Sequence, residues 1–121
     1  MNRLKEEQRE EKRRLLGLPI YSASEEILSA VSHGIGVLLS IAALVLLLVS
    51  APGDPIVIVS LSIYSATLIL LYLVSTLYHA LGVNKGKRVF RILDHCSIFL
   101  LIAGTYTPLS LVIIGGTVGW V

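Results

Sequence analysis

Apolar residues collect in three long segments, which are separated by two short breaks in the pattern. The segments run over about residues 27–50, 56–81 and 90–114. Because an α-helix rises about 1.5 Å per residue, crossing the hydrocarbon core of a bilayer takes about 20 apolar residues. Each segment is long enough, so the pattern predicts an all-α integral membrane fold with three transmembrane helices over these ranges.

The two breaks have the composition of tight connections. The sequence APGDP at residues 51–55 holds two prolines and a glycine, and GVNKGKR at residues 82–88 is short and basic. Connections of this length join helices that lie side by side and run in opposite directions. The three helices are therefore expected to run up, down and up.

Residues 1–26 form a charged segment ahead of the first apolar run. Six basic and six acidic side chains balance there, and opposite charges three or four residues apart support a solvated helix. No apolar core of signal-peptide length follows these charges. We predict a cytoplasmic amino-terminal tail over 1–26 and a transmembrane domain over 27–121. An alternative is an interfacial helix that inserts these side chains among the headgroups: Leu15, Leu16, Leu18 and Ile20.

Charge placement narrows the class of protein further. Only 15% of the residues are charged, against about 25% in a typical soluble domain. The net charge of +2 does not indicate a nucleic-acid partner, so membrane lipids are the predicted surroundings. Basic residues gather before residue 15 and at 85–91, and the positive-inside rule then predicts a cytoplasmic amino terminus. The expected location is the plasma membrane. The single cysteine, Cys96, excludes an intramolecular disulfide.

The few polar residues of the apolar segments converge at one depth. Glu26 and His33 lie near the start of the first segment, and Ser75 and His79 lie at the end of the second. Asp94 lies about one turn into the third, so three helices bring these groups to the inner leaflet. Ionisable groups inside a membrane are costly and often mark a functional site.

Each segment also carries polar and small residues on one helical face. Spacings of three and four residues place side chains on a common face, which can pack against a neighbouring helix while Leu, Ile and Val face lipid. The stripes are Glu26, Ser29, His33, Gly36 and Ser40 in the first segment, Ser65, Tyr72, Ser75 and His79 in the second, and Asp94, Ser97, Gly104 and Pro108 in the third.

A metal site is the chemistry that these residue types favour. A catalytic zinc takes three protein ligands and a water, which a carboxylate orients or deprotonates. His79 is a candidate ligand, His33 a possible second, and Asp94 can orient the water, but a third ligand is missing from the sequence. Asp94 and His95 do not aim at one centre, because adjacent helical side chains point about 100° apart.

Two alternatives stay open for these residues. His79 and Asp94 can instead form an ion pair that fixes helix packing. A relay of Ser75, His79 and an aspartate is disfavoured, since no strained nucleophile turn or oxyanion loop is visible.

Several motifs resemble the haemolysin III proteins of the progestin and adipoQ receptor family, within a superfamily of proposed membrane hydrolases that includes the alkaline ceramidases. The resemblance covers about residues 24–121. It rests on EEILSAVSHGIG, on STLYHAL with its S-x3-H motif, and on RILDHCSIFLLIAGTYTPLSL, in that order.

The resemblance implies a seven-helix bundle with a zinc ion near the cytoplasmic face. Zinc in that family is held by the S-x3-H histidine and by two histidines of an H-x3-H motif in the last helix. His79 would then be a zinc ligand, Asp94 would act on the zinc-bound water, and Ser75 would support the site. Glu26, Ser29 and His33 are possible supporting residues of that site. Ser29 stands where the family more often has asparagine, so the resemblance implies this supporting role less directly than the role of His79.

No H-x3-H follows the third segment, so we expect this chain to be an amino-terminal, truncated portion of a longer protein. The leading functional hypothesis is a zinc-dependent membrane hydrolase that cleaves an amide or ester bond of a lipid. The alternatives are a pore-forming cytolysin, a receptor-like membrane protein or an inactive fragment. A pore is less well supported, because the polar stripes cluster at one leaflet and do not line a continuous path.

Overall fold

A computed structural model describes residues 2–121, which are mostly helical and contain no strand. The elements are α1 (Asn2–Leu15), α2 (Ala23–Ser50), α3 (Pro55–Ala80), α4 (Lys85–Pro108), a π-helical segment (Leu109–Ile114) and α5 (Gly116–Trp120). Three helices are long and apolar enough to cross a membrane: α2, α3, and α4 continued by the π-helical segment. The predicted all-α membrane fold is confirmed.

Two helices begin earlier than their apolar runs. Helix α2 starts at Ala23 instead of residue 27, because Ser22 and Glu25 form a reciprocal capping box ahead of the first apolar side chain. Helix α4 starts at Lys85 instead of residue 90, because the Asn84 side chain accepts a hydrogen bond from Lys87 N at 2.9 Å. Residues 85–88 of the predicted basic loop are therefore helix.

Helix α3 lies in the middle of the bundle. It packs against both α2 and α4, while α2 and α4 make no direct backbone approach to each other within residues 2–121. Buried positions are mainly small and polar, whereas large apolar side chains such as Leu46 and Phe99 are exposed. The predicted orientation of the stripes is confirmed, with these residues buried: Glu26, Ser40, Ser65, Ser75, Ser97 and Gly104.

Glycine is required at one crossing of α3 and α4. A methyl group added at Gly104 would lie 2.9 Å from Thr67 Cβ and closer still to the Thr67 hydroxyl oxygen. Carbon atoms in contact are normally about 3.5–4.0 Å apart, so only glycine fits at this crossing of α3 and α4. Small residues serve this purpose widely in membrane helix pairs.

The carboxyl end of α4 changes its helical geometry at Pro108. Proline has no N–H to donate and its ring clashes with the carbonyl four residues earlier, so the regular ladder cannot continue. The chain continues as the wider π-helical segment Leu109–Ile114 and ends at Gly115, whose φ of 62° is in the left-handed region.

Candidate functional site

The candidate site lies at one end of the bundle, which we call the basic end. The carboxyl end of α1, the first turns of α2 and α4, and the last turns of α3 meet there. The helical stripes predicted from the sequence run into this end, so each helix contributes side chains to it from a fixed face.

A buried carboxylate ties four elements together. Glu26 Oε2 accepts a hydrogen bond from Lys87 Nζ at 2.7 Å and another from Arg13 Nη2 at 3.0 Å. Lys87 has no exposed surface, and its ammonium also donates to the carbonyls of Tyr78 at 2.9 Å and Leu81 at 3.0 Å. The ion-pair network therefore joins α1, α2 and α4 and satisfies carbonyls at the end of α3.

The other oxygen of the same carboxylate faces a histidine. Glu26 Oε1 lies 3.7 Å from His79 Nδ1, within ion-pair range of a protonated ring but too far for a hydrogen bond. Both atoms are buried, and neither has a hydrogen-bond partner within the described part of the chain. A carboxylate oxygen and an imidazole nitrogen are thus held close together, and neither uses its capacity for a hydrogen bond.

A second histidine approaches the first from another helix. His33 Nδ1 lies 2.6 Å from Ser75 Oγ, which fixes the His33 ring against α3. The ring centroids of His33 and His79 are 6.0 Å apart, and the Tyr72 ring stands edge-on to His33 at 5.8 Å. Four of the predicted site residues are therefore neighbours in space: Glu26, His33, Ser75 and His79.

The remaining predicted residues lie at the margin of this group. Asp94 is half-buried on α4, and its carboxylate makes no hydrogen bond or ion pair to any residue from 2 to 121. Ser29 is half-buried, and its carbonyl accepts from Ser32 Oγ. His95 is exposed, with its Nδ1 2.8 Å from the Arg91 carbonyl. The alternative of a His79–Asp94 ion pair is wrong for this structure, since His79 lies beside Glu26 instead.

An open cleft leads to the buried group. Its volume is about 470 Å³, and its lining includes side chains of α1, of the α1–α2 connection and of the ends of α2 and α3. Glu26 and His79 form part of its wall, beside these residues: Glu6, Arg9, Arg13 and Tyr21.

The donor set fits part of a metal site. Residues 2–121 contain no group of three His, Cys, Asp or Glu side chains placed to hold a metal ion. His79 nevertheless has the surroundings of a metal-ligating histidine, because such rings commonly present their second nitrogen to a carboxylate. His79, with His33 beside it, supplies imidazole donors but does not close a site.

Two residues of this network were not foreseen from the sequence. The sequence pattern predicts a solvated tail around Arg13, yet this residue is 4% exposed, and its guanidinium also donates to the Pro19 carbonyl at 3.0 Å. The pattern likewise predicts a loop at Lys87, yet this residue lies in the first turn of α4. The Asn84 cap was the available signal for Lys87, while nothing in the local pattern marks Arg13.

Comparison with known proteins identifies the family. A sequence profile described as "Haemolysin-III related" matches residues 21–121. The chain belongs to the haemolysin III family. The match begins just before α2 and takes in the candidate site except the side chains that α1 contributes, Arg13 among them.

Two curated relatives carry haemolysin names. The chain is 47% identical over 98 residues to "Hemolysin-3" of Bacillus cereus, covering 79% of this chain and 45% of that protein. It is 48% identical over 103 residues to "Hemolysin-3 homolog" of Bacillus subtilis (strain 168), covering 84% of this chain and 48% of the relative. The chain thus spans about half the length of these relatives. No solved structure matches it significantly.

Proposed function

We propose that this haemolysin III chain supplies the first half of the active centre of a zinc-dependent membrane hydrolase acting on a lipid amide or ester. The observation that carries the proposal is the juxtaposition of His79, His33 and the Glu26 carboxylate at the basic end, beside an open cleft. The orientation that the positive-inside rule favours would put this end at the cytoplasmic face of the membrane, and we propose the plasma membrane as its location.

His79 would be the zinc ligand contributed by this chain. Its Nδ1 faces Glu26 Oε1, which leaves the other ring nitrogen for a metal, and Glu26 would hold the ring in position. The remaining ligands would come from chain outside residues 2–121. Zinc, when bound, lowers the pKa of its water and polarises a carbonyl.

The other site residues would position these groups. Ser75 holds the His33 ring through the 2.6 Å contact, so it keeps that imidazole beside His79. Asp94 has a carboxylate with free bonding capacity on the neighbouring helix, which suits a group that accepts a proton from water. The lipid substrate would approach through the cleft beside α1.

The names of the relatives suggest cytolysis as a second function. A pore requires a polar path along the bundle. The charged side chains of α2, α3 and α4 cluster at the basic end, and the middle of the bundle offers buried serines such as Ser60 and Ser65. Enzymatic attack on lipid therefore suits these residues better than a channel does.

Zinc content tests the assignment of His79. We expect the full-length protein to bind zinc stoichiometrically and its His79→Ala variant to bind at least about tenfold more weakly, since even supporting residues of metal sites commonly change affinity by about 10–100-fold. The measurement is zinc per chain in purified protein, followed by titration with a chelator.

Cys96→Ala is the matched control for this experiment. It removes an exposed thiol that is able to bind zinc adventitiously, and it should leave the zinc content unchanged. Full zinc occupancy in His79→Ala would remove His79 from the metal site. Loss of zinc in Cys96→Ala alone would show that the metal was held by the thiol.

A further inference from the structure

A second cleft opens at the basic end, and it shares no lining residue with the first. Its volume is about 370 Å³, and it lies between the α1–α2 connection and the first turns of α4. None of the proposed zinc-site residues lines it. The side chains and backbone that matter for its chemistry are those of Leu16, Gly17, Arg88, Arg91, Ile92 and His95.

The wall of this cleft is built by a specific helix ending. Leu18 N donates to Arg13 O at 2.9 Å and Gly17 N donates to Arg14 O at 3.1 Å, which is the hydrogen-bond pattern of a Schellman motif. Gly17 has φ of 65°, a conformation that favours glycine. Helix α1 therefore stops at a fixed point, and the carbonyl of Gly17, just beyond its end, faces α4.

Arg91 joins the two walls. Its Nη1 donates to the Gly17 carbonyl at 2.6 Å, across 74 residues of sequence. A guanidinium carries five N–H donors, and this hydrogen bond to a neutral carbonyl uses one of them. The remaining donors of Arg91 are thus held at the cleft in a defined position.

The charge of the cleft is positive and uncompensated. Arg88 and Arg91 line it together with His95, and no Asp or Glu is among the lining residues. Within residues 2–121 the Arg88 guanidinium makes no hydrogen bond or ion pair. Two arginines that converge without a carboxylate partner form a favourable site for a phosphate, which guanidinium groups bind in bidentate geometry.

The position of the cleft along the helix sets its depth. Arg88 and Arg91 lie three and six residues after the start of α4 at Lys85, which corresponds to roughly 5 and 9 Å along the axis. Apolar side chains continue the surface: Val89 and Ile92 are exposed on α4, and Leu15 on α1. A cationic pocket therefore borders an exposed apolar surface at the level of the lipid headgroups.

We propose that this cleft binds the phosphate headgroup of an anionic phospholipid, with the acyl chains along the apolar surface of Val89 and Ile92. A soluble phosphate would use the arginines but gain nothing from that surface, so a lipid is the occupant that matches both parts of the cleft. Basic pockets between membrane helices commonly bind such headgroups. The proposal stands independently of zinc binding and hydrolysis.

Lipid retention tests this inference. The purified chain, reconstituted in phosphatidylcholine nanodiscs with increasing fractions of phosphatidylglycerol, is extracted and analysed by native mass spectrometry for bound lipid. We expect preferential retention of phosphatidylglycerol. Arg88→Gln and Arg91→Gln should each weaken it about fivefold and the double variant about 25-fold, from the usual contribution of a basic residue near an anionic surface.

Lys85→Gln is the matched control, because it removes the same charge from the same helix at an exposed position outside the cleft. It should retain phosphatidylglycerol nearly as well as the wild type. Equal retention of both lipids, or an equal loss in Lys85→Gln and in the double variant, would overturn the proposal. Displacement of the lipid by millimolar inorganic phosphate would show a soluble-anion site instead, and it would equally overturn the lipid assignment.

Discussion

Replacement of Glu26 by glutamine is expected to destabilise the bundle by about 3–5 kcal/mol, the usual cost of removing one partner from a buried ion pair. Glu26 is the carboxylate that Lys87 and Arg13 share, and both cations are buried. Glutamine keeps the shape and one acceptor oxygen but removes the negative charge. The fully buried Lys87 ammonium then remains without a counter-charge.

The measurement is the free energy of unfolding in detergent micelles, with far-ultraviolet circular dichroism as the signal that monitors unfolding. Glu11→Gln on the exposed face of α1 provides a control with the same charge change and should alter stability by less than about 0.5 kcal/mol. Adding Lys87→Met to Glu26→Gln removes the stranded charge, so the double variant should recover part of the loss. The single variant Lys87→Met completes the comparison. If the loss of stability in the double variant equalled the sum of the losses in the two single variants, the two side chains would not be coupled.

Substitution of Gly104 by alanine is expected to destabilise the α3–α4 contact by about 1–3 kcal/mol, as overpacking does in dense interiors. The new methyl would meet Thr67 Cβ and Cγ2 at 2.9 and 3.0 Å. Rotation of the Thr67 side chain relieves only part of this clash, because its Cβ is fixed by the backbone. The two helices must separate locally.

Gly34→Ala measures the same substitution without the clash. A methyl at Gly34 would meet only Thr76 Cγ2, at an ordinary distance of 3.7 Å. Alanine is better than glycine in a helix interior by about 0.8–1.0 kcal/mol, so Gly34→Ala should be neutral or stabilising. If Gly104→Ala were as stable as Gly34→Ala in the same unfolding assay, the close approach at Thr67 would not exist.

The existence of the three long helices follows directly from the sequence. Runs of more than 20 apolar residues leave few alternatives, and the turn residues at 51–55 separate the first two helices at the expected place. The starts at Ala23 and Lys85 were harder to predict, because a polar cap begins a helix before its apolar run does. The π-helical segment after Pro108 depends on how the freed carbonyls are satisfied, which a periodic pattern does not encode.

The sequence predicts at which end of the helices the candidate site lies, but only some of the side chains that contact one another there. Stripe periodicity placed Glu26, His33, Ser75 and His79 on inward faces at one end, and they are neighbours there. Periodicity does not specify how far a long side chain reaches from another element. The buried pairing of Arg13 and Lys87 with Glu26 depends on such reach, so it became visible only in three dimensions.

The ion pair between Glu26 and Lys87 also bears on how the chain is made. The two partners are 61 residues apart, and ribosomes add about 5–20 residues per second, so Glu26 leaves the ribosome roughly 3–12 seconds before Lys87 does. During that interval Arg13, already synthesised, is the cation of this network that can neutralise it. Membrane insertion of α2 and α3 would therefore rely on Arg13 of α1 as the first counter-ion of Glu26, and Lys87 would complete the network once α4 is made.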